Sequence, residues 1–133
     1  MIKITKRVEC PAQQSQSDTI ELDFDSRKRG RLRAQSGNGV ELGLFLDRGR
    51  TLLAGDWLRA ENGHLFQVIA AAERVTKAGA ENPLQFARIC YHLGNRHVPL
   101  QIGDHWLRFQ PDHVLEELCR HYGLTVTQET APF

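Results

Sequence analysis

The sequence predicts an α+β protein in two parts: a small all-β unit over residues 1–71, then a βαββαβ unit over residues 72–133. Three observations predict it. Up to about residue 70, apolar side chains recur at every second position, the period of a strand with one buried face. Two helical stripes occur only after that point, each opened by a proline and followed by a glycine. Strand-like alternation returns between the stripes and after the second.

In order along the chain, Ile2, Ile4 and Val8 alternate with polar residues, as do Ile20, Leu22 and Phe24, then Val40, Leu42, Leu44 and Leu46. Turn residues separate these runs at Ser36-Gly37-Asn38-Gly39 and at Asp47-Arg48-Gly49. Glu61-Asn62-Gly63 joins Trp57–Ala60 to His64–Val68 as a hairpin. No helix is expected in this half. A strand over residues 67–76 opens the second half. Asn82 then caps a helix with Pro83 in its first turn. That helix runs to about Leu93 with Leu84, Ala87, Ile89 and Cys90 toward the core, and Gly94 is its left-handed stop. Val98, Leu100 and Ile102 form a strand, and Gly103-Asp104 turns it into His105–Phe109. Pro111 opens a second helix whose apolar stripe is Val114, Leu115, Leu118 and Tyr122. Gly123 ends it, and Leu124–Val126 is the last strand. The order is that of a ferredoxin-like, split βαβ domain. No Pro/Gly/Ser-rich linker marks the boundary, and there are no internal repeats.

The global composition narrows the function classes. A chain of 133 residues is long enough for one sizeable core or two small domains. A net charge of +1 gives no general attraction to nucleic acid or membrane. No apolar run approaches the ~20 residues that span a bilayer, and residues 1–7 lack the apolar core of a signal peptide. Cys10, Cys90 and Cys119 are odd in number and far apart, which fits a reducing cytoplasm.

Catalysis has little support. There is no phosphate-binding glycine loop and no GxSxG, and carboxylates stand singly or as surface neighbours such as Glu116-Glu117. Metal binding has more. Of six histidines, five lie in the second half, without the tight spacing of a closed zinc site. His97 sits on a short polar turn. One imidazole cannot hold a metal alone, but two can if symmetry brings a second copy beside it. The competing reading is a loop histidine capping a carbonyl. His113, Glu117 and His121 are four apart on one helix face, either a surface metal site or a solvated flank. The cysteines read as core residues. In a strand, Arg27, Arg29, Arg31 and Arg33 would form a cationic stripe for an acidic partner or RNA, or a charge-protected edge. Exposed aromatics, which single-strand binders interleave with such charges, are missing from the stretch. A non-enzymatic peptide- or RNA-binding adaptor built on this stripe is the alternative function.

Two blocks carry a family resemblance. The first is Tyr91-His92-Leu93-Gly94-Asn95-Arg96-His97-Val98-Pro99-Leu100-Gln101 with Asp112-His113-Val114-Leu115. The second is Ser26–Arg31 with Val40–Gly49 and Leu53-Ala54-Gly55-Asp56. On these the chain resembles the urease accessory protein E family, the nickel metallochaperones of urease maturation, over nearly its whole length. The resemblance implies an N-terminal domain that binds peptides or partners and a C-terminal ferredoxin-like domain that binds metal and dimerises. It implies a homodimer, or a metal-linked tetramer, with His97 of each subunit as the main ligand at the interface. The ion would be Ni(II), with Cu(II) or Zn(II) able to substitute. The partners would be apo-urease and other accessory proteins, including a GTPase, and neither nucleic acid nor membrane. Relatives place further histidines before the Asp-His pair, where this chain has Gln110-Pro111. His113 is then the peripheral ligand. The histidine-rich tail that adds ligands in many relatives is not matched within Glu129–Phe133.

Overall fold

Period-two runs become strands in the computed structural model, which describes residues 1–14 and 16–133. The chain divides into two units, Met1–Ala71 and Ala72–Phe133.

The first unit contains strands β1 (Ile2–Val8), β2 (Asp18–Leu22), β3 (Arg31–Gln35), β4 (Glu41–Phe45), β5 (Trp57–Ala60) and β6 (Leu65–Ala70). They form one sheet in the order β2-β6-β5-β1-β4-β3. The pairs β1/β4 and β2/β6 are parallel, and the rest are antiparallel. Ile20 bridges Ser36, and the Gly37 N–H donates to the Thr19 carbonyl at 2.9 Å, so the two ends of the sheet curl toward each other. Inside the curl lie Ile4, Ile20, Leu42, Leu44, Leu58, Phe66 and Val68, the inward members of the alternating runs. Each such side chain contributes about 1.5–3 kcal/mol by leaving water. The hairpin at residues 61–63 is present, with Gly63 at φ 86°, where a side chain would be strained.

The first unit is mostly strand, not wholly so. Phe24 was expected as an inward strand residue. The strand instead stops at Leu22, and a single helical turn, α1 (Phe24–Arg27), follows. Asp23 causes this: its Oδ1 accepts the Ser26 N–H at 2.9 Å and caps the turn.

The second unit runs β7 (Ala72–Gly79), α2 (Pro83–Asn95), β8 (Gln101–Ile102), β9 (Trp106–Phe109), α3 (His113–His121) and β10 (Thr125–Pro132). The sheet order is β10-β7-β9-β8, with every pair antiparallel. The strand expected over residues 67–76 is two strands, β6 and β7, parted at Ala71. The last strand is longer than expected. Its polar residues Thr127–Thr130 carry no apolar alternation, yet each pairs with β7. The turn between β8 and β9 falls one residue later, at Asp104-His105, because Gly103 pairs with Trp106. A Cβ on Gly103 would lie 2.0 Å from the Trp106 ring.

Both helices pack on this sheet through i, i+3, i+4, i+7 stripes. In α2 these are Phe86, Ile89, Cys90 and Leu93, and in α3 Leu115, Leu118, Cys119 and Tyr122. Leu84, Ala87 and Val114, expected in the core, lie off the stripes and are exposed. Glu116 is also displaced from expectation. It is buried, accepting from Thr76 Oγ1 at 2.6 Å and from Gln128 Nε2 at 3.2 Å, and so ties α3 to β7 and β10.

Candidate metal site

The end of α2 builds the site. Asn82 Oδ1 accepts the Gln85 N–H at 2.9 Å and Pro83 occupies the first turn, as the sequence predicts. The other end differs from expectation. Gly94 stays inside the helix, which runs on to Asn95. The left-handed residue is His97, at φ 58°. Its N–H donates to the Gly94 carbonyl at 3.0 Å, and the Val98 N–H donates to the Leu93 carbonyl at 3.3 Å. This pair of bonds is a Schellman motif. Its closing apolar contact joins Val98 to the core that holds Leu93. A stop at Gly94 would have put polar Asn95 in that place, which is why the helix continues.

The end of α3 repeats the motif with glycine in the left-handed position. Gly123 has φ 84°, its N–H donates to Arg120 at 2.9 Å, and Leu124 donates to Cys119 at 3.0 Å. The same backbone geometry thus carries Gly123 in one helix and His97 in the other. A side chain at that position costs about 1 kcal/mol or more. A second histidine, His105, also has positive φ (60°), at the β8–β9 turn, where its ring meets Phe86 edge-on at 6.1 Å.

The His97 side chain is exposed, and among the described residues its imidazole takes no hydrogen-bond partner. It is the backbone, not the ring, that caps a carbonyl. His92, from the same sequence block, is packed instead, stacked on Tyr122 at 4.7 Å. His113 is exposed at the first position of α3, just after Asp112, whose Oδ1 caps Leu115 N at 3.1 Å. Because β7 and β8 run one way and β9 the other, the end of α2 and the start of α3 lie at the same end of this unit. Glu117 engages Arg120 Nη1 at 3.0 Å, away from a role beside His113 and His121. Among the described residues, no three His, Cys, Asp or Glu side chains are grouped to hold a metal.

The thiols are poor ligands where they lie. Cys119 is buried in the core, and burial, with help from Glu116, pushes its pKa up to about 11. Burial also raises Cys90. Cys10 departs from the core expectation: it is exposed, near Gln14.

One surface was missed from the sequence. Leu84 (60% exposed) and Tyr91 (68%) share a face of α2 with Arg88, and that face leads toward His97. The spacing 84, 88, 91 is its signal in the sequence, masked because Leu84 equally suits a core position.

The basic stripe also changes. Arg27 is not in a strand and is buried at 3% exposure, with Nε donating to the Leu22 carbonyl and Nη1 to the Leu52 carbonyl, both at 3.2 Å. Arg29 is exposed in the turn after α1, and only Arg31 and Arg33 are exposed together on β3. An exposed aromatic does stand beside them. Phe45 lies opposite Arg31 in the register, with Arg31 5.9 Å and Lys3 5.7 Å from its ring centroid. Cations already cover that ring, so it is not an open platform for a base.

Two family models match the chain. One described as the UreE urease accessory protein, N-terminal domain, covers residues 2–71, and one described as its C-terminal domain covers residues 73–133. Among similar proteins, the Urease accessory protein UreE of Pseudoalteromonas translucida is 51% identical over 138 aligned positions, spanning 100% of this chain and 81% of that protein. Its counterpart in Alteromonas mediterranea is 49% identical over 116 positions, covering 87% of this chain and 75% of that protein. That of Pseudomonas putida strain GB-1 is 48% identical over 134 positions, covering 100% and 81%.

Proposed function

Because the chain belongs to the UreE urease accessory protein family, whose members are not enzymes, we propose that it is a nickel metallochaperone that delivers Ni(II) to apo-urease as the active site is assembled. The observation that carries this reading is His97. An exposed imidazole holds the left-handed position that the sister helix gives to glycine. A side chain kept where glycine fits better points to a use for that side chain.

His97 is the main ligand, one from each subunit of a homodimer. On a two-fold axis both chains present the same group to one ion. The exposed face of Leu84, Arg88 and Tyr91 on α2 supports a subunit contact next to His97. Two imidazoles leave several positions of the ion open, so a receiving protein can add ligands before the carrier lets go. His113, at the same end of the unit, is a peripheral ligand. Imidazole also suits copper and zinc, and copper binds such ligands more tightly. Cu(II) and Zn(II) therefore substitute in vitro, and nickel selectivity comes from supply and partner.

The second unit is read as ferredoxin-like, which its βαββαβ order and β10-β7-β9-β8 sheet support. It is the metal-binding and dimerising part. The first unit is the partner-binding part. Arg29, Arg31 and Arg33, with Lys3, give it a cationic face suited to apo-urease or an accessory protein such as the GTPase. The work is cytoplasmic, where urease is assembled. Among the described residues no helix is long and apolar enough to cross a membrane.

The test is a reconstituted activation of apo-urease with nickel supplied only as carried by this protein. Wild type should restore urease activity, and His97→Ala should not. Charge reversal by Arg31→Glu with Arg33→Glu should leave nickel loading intact and slow activation, most at low salt. Full activation by His97→Ala would refute the carrier reading. Normal activation by the charge-reversed variant would return the stripe to a protected sheet edge.

A further inference from the structure

Strand β1 is paired over different lengths on its two sides. Its pairing with β4 covers Ile2 to Ile4, whereas its pairing with β5 runs on from Ile4 to Val8. Past Phe45 the chain leaves β4 and turns at Asp47-Arg48-Gly49, with Gly49 at φ 101°. The second half of β1 and residues 46–50 therefore diverge like a fork. The fork encloses a cleft of about 310 Å³ lined by Lys6, Arg7, Arg48 and Arg50, with Asp47 as the opposing carboxylate. A second cavity, about 350 Å³, shares Arg7 and Arg50 and continues along β1 to Glu9, Asp56 and Trp57, where two carboxylates match the two arginines.

In the first cleft the charges are not balanced, with four cations against the single carboxylate of Asp47. Among the described residues, none of the four cations forms an ion pair. Arg7 spans the gap, its Nη2 donating to the Arg50 carbonyl, while its Nη1 is buried without a hydrogen-bond partner. Four like charges at one cleft, with a guanidinium short of an acceptor, call for an anion. The shape specifies which kind. A strand unpaired along one side offers backbone donors and acceptors at strand spacing, which an extended chain matches and a compact anion does not.

We propose that this fork is the docking site for an acidic, extended segment of a partner protein, laid along β1 beyond Ile4 as an added strand. Its carboxylates meet Lys6, Arg7 and Arg48, and its backbone pairs with the strand edge. The fork adjoins the Arg31 end of the other cationic face, since the Leu46 N–H donates to the Gly30 carbonyl at 2.7 Å, but it lies on the β1 side of β4, whereas Arg31 and Arg33 stand on β3 at the sheet's edge. The proposal rests on reading the first unit as the partner-binding part. Its test uses neither urease nor metal, so its failure is distinguishable from failure of the nickel reading.

The probe is a fluorescein-labelled peptide of alternating glutamate and valine, about eight residues long to span the strand. Fluorescence anisotropy would compare it with a lysine–valine peptide and a single-stranded oligouridine. The expected result is binding of the acidic peptide alone, weakened about tenfold or more by Lys6→Glu with Arg48→Glu and by high salt. Backbone amide NMR should then show shifts at Thr5–Arg7 and Leu46–Arg50. Both substituted side chains are exposed, so the variant should keep the wild-type spectrum elsewhere. No binding of the acidic peptide would overturn the proposal, as would equal binding by the variant, tighter binding of oligouridine, or shifts confined to Arg31 and Arg33.

Discussion

Glu116 is a carboxylate almost wholly inside a small protein. The Thr76 hydroxyl, opposed by burial and helped by the Gln128 amide, Arg120 and His113, holds its pKa below the ordinary 4.5. A depressed carboxylate pKa stabilises the fold fully above the unfolded value, and the contribution disappears as pH falls through the folded one. Glu116→Gln should therefore cost about 1–3 kcal/mol at neutral pH and flatten the acid limb of stability. Urea unfolding followed from pH 7 down into the acid range measures both effects: the gap between the two proteins should hold above the ordinary value and close only as pH falls through the lower folded one. Arg27→Ala should be similarly costly, about 2–4 kcal/mol, because it strips donors from the Leu22 and Leu52 carbonyls. Neither residue announces itself in the sequence. Glu116 reads as a neighbour of exposed Glu117, since its partners come from 40 and 12 residues away. Arg27 reads as one of four equivalent arginines. The overlooked cue is Asp23, a capping residue that breaks the strand phase before the basic run begins.

At the scale of elements, the two helix ends form an internal experiment. Replacing His97 by Gly should relieve the left-handed residue and raise stability by up to about 1 kcal/mol. Replacing Gly123 by Ala should lower it by about as much, since the Schellman geometry is the same and Gln85 Nε2 lies 2.8 Å from the added carbon. Thermal unfolding of the two variants checks the opposite signs. Helix starts were legible because a cap is local: Asn82 and Pro83 act where they stand in sequence. The end of α2 was not, because it is set by the pairing of Val98 with the core around Leu93, a tertiary contact that outweighs the preference of Gly94. Strands with a buried face were legible by alternation. β10 was not beyond Val126, because a strand held by backbone pairing alone leaves no apolar rhythm.

For the whole molecule, the two sequence blocks carried the family and singled out His97, while the surroundings of His97 had to come from the fold. On the proposed reading, the exposed Leu84–Tyr91 face is where two copies would meet, with an imidazole from each beside the contact. Protons compete with metal for imidazole lone pairs, so nickel affinity should fall in acid. The most direct test is nickel stoichiometry by equilibrium dialysis, with oligomeric state followed by sedimentation, for wild type and His97→Gly. That variant is chosen because it should fold at least as firmly as the parent, so loss of metal cannot be blamed on unfolding. The account predicts about one Ni(II) per two chains at the main site of the wild type and none there in the variant. Equal nickel content and affinity in the two proteins would contradict it.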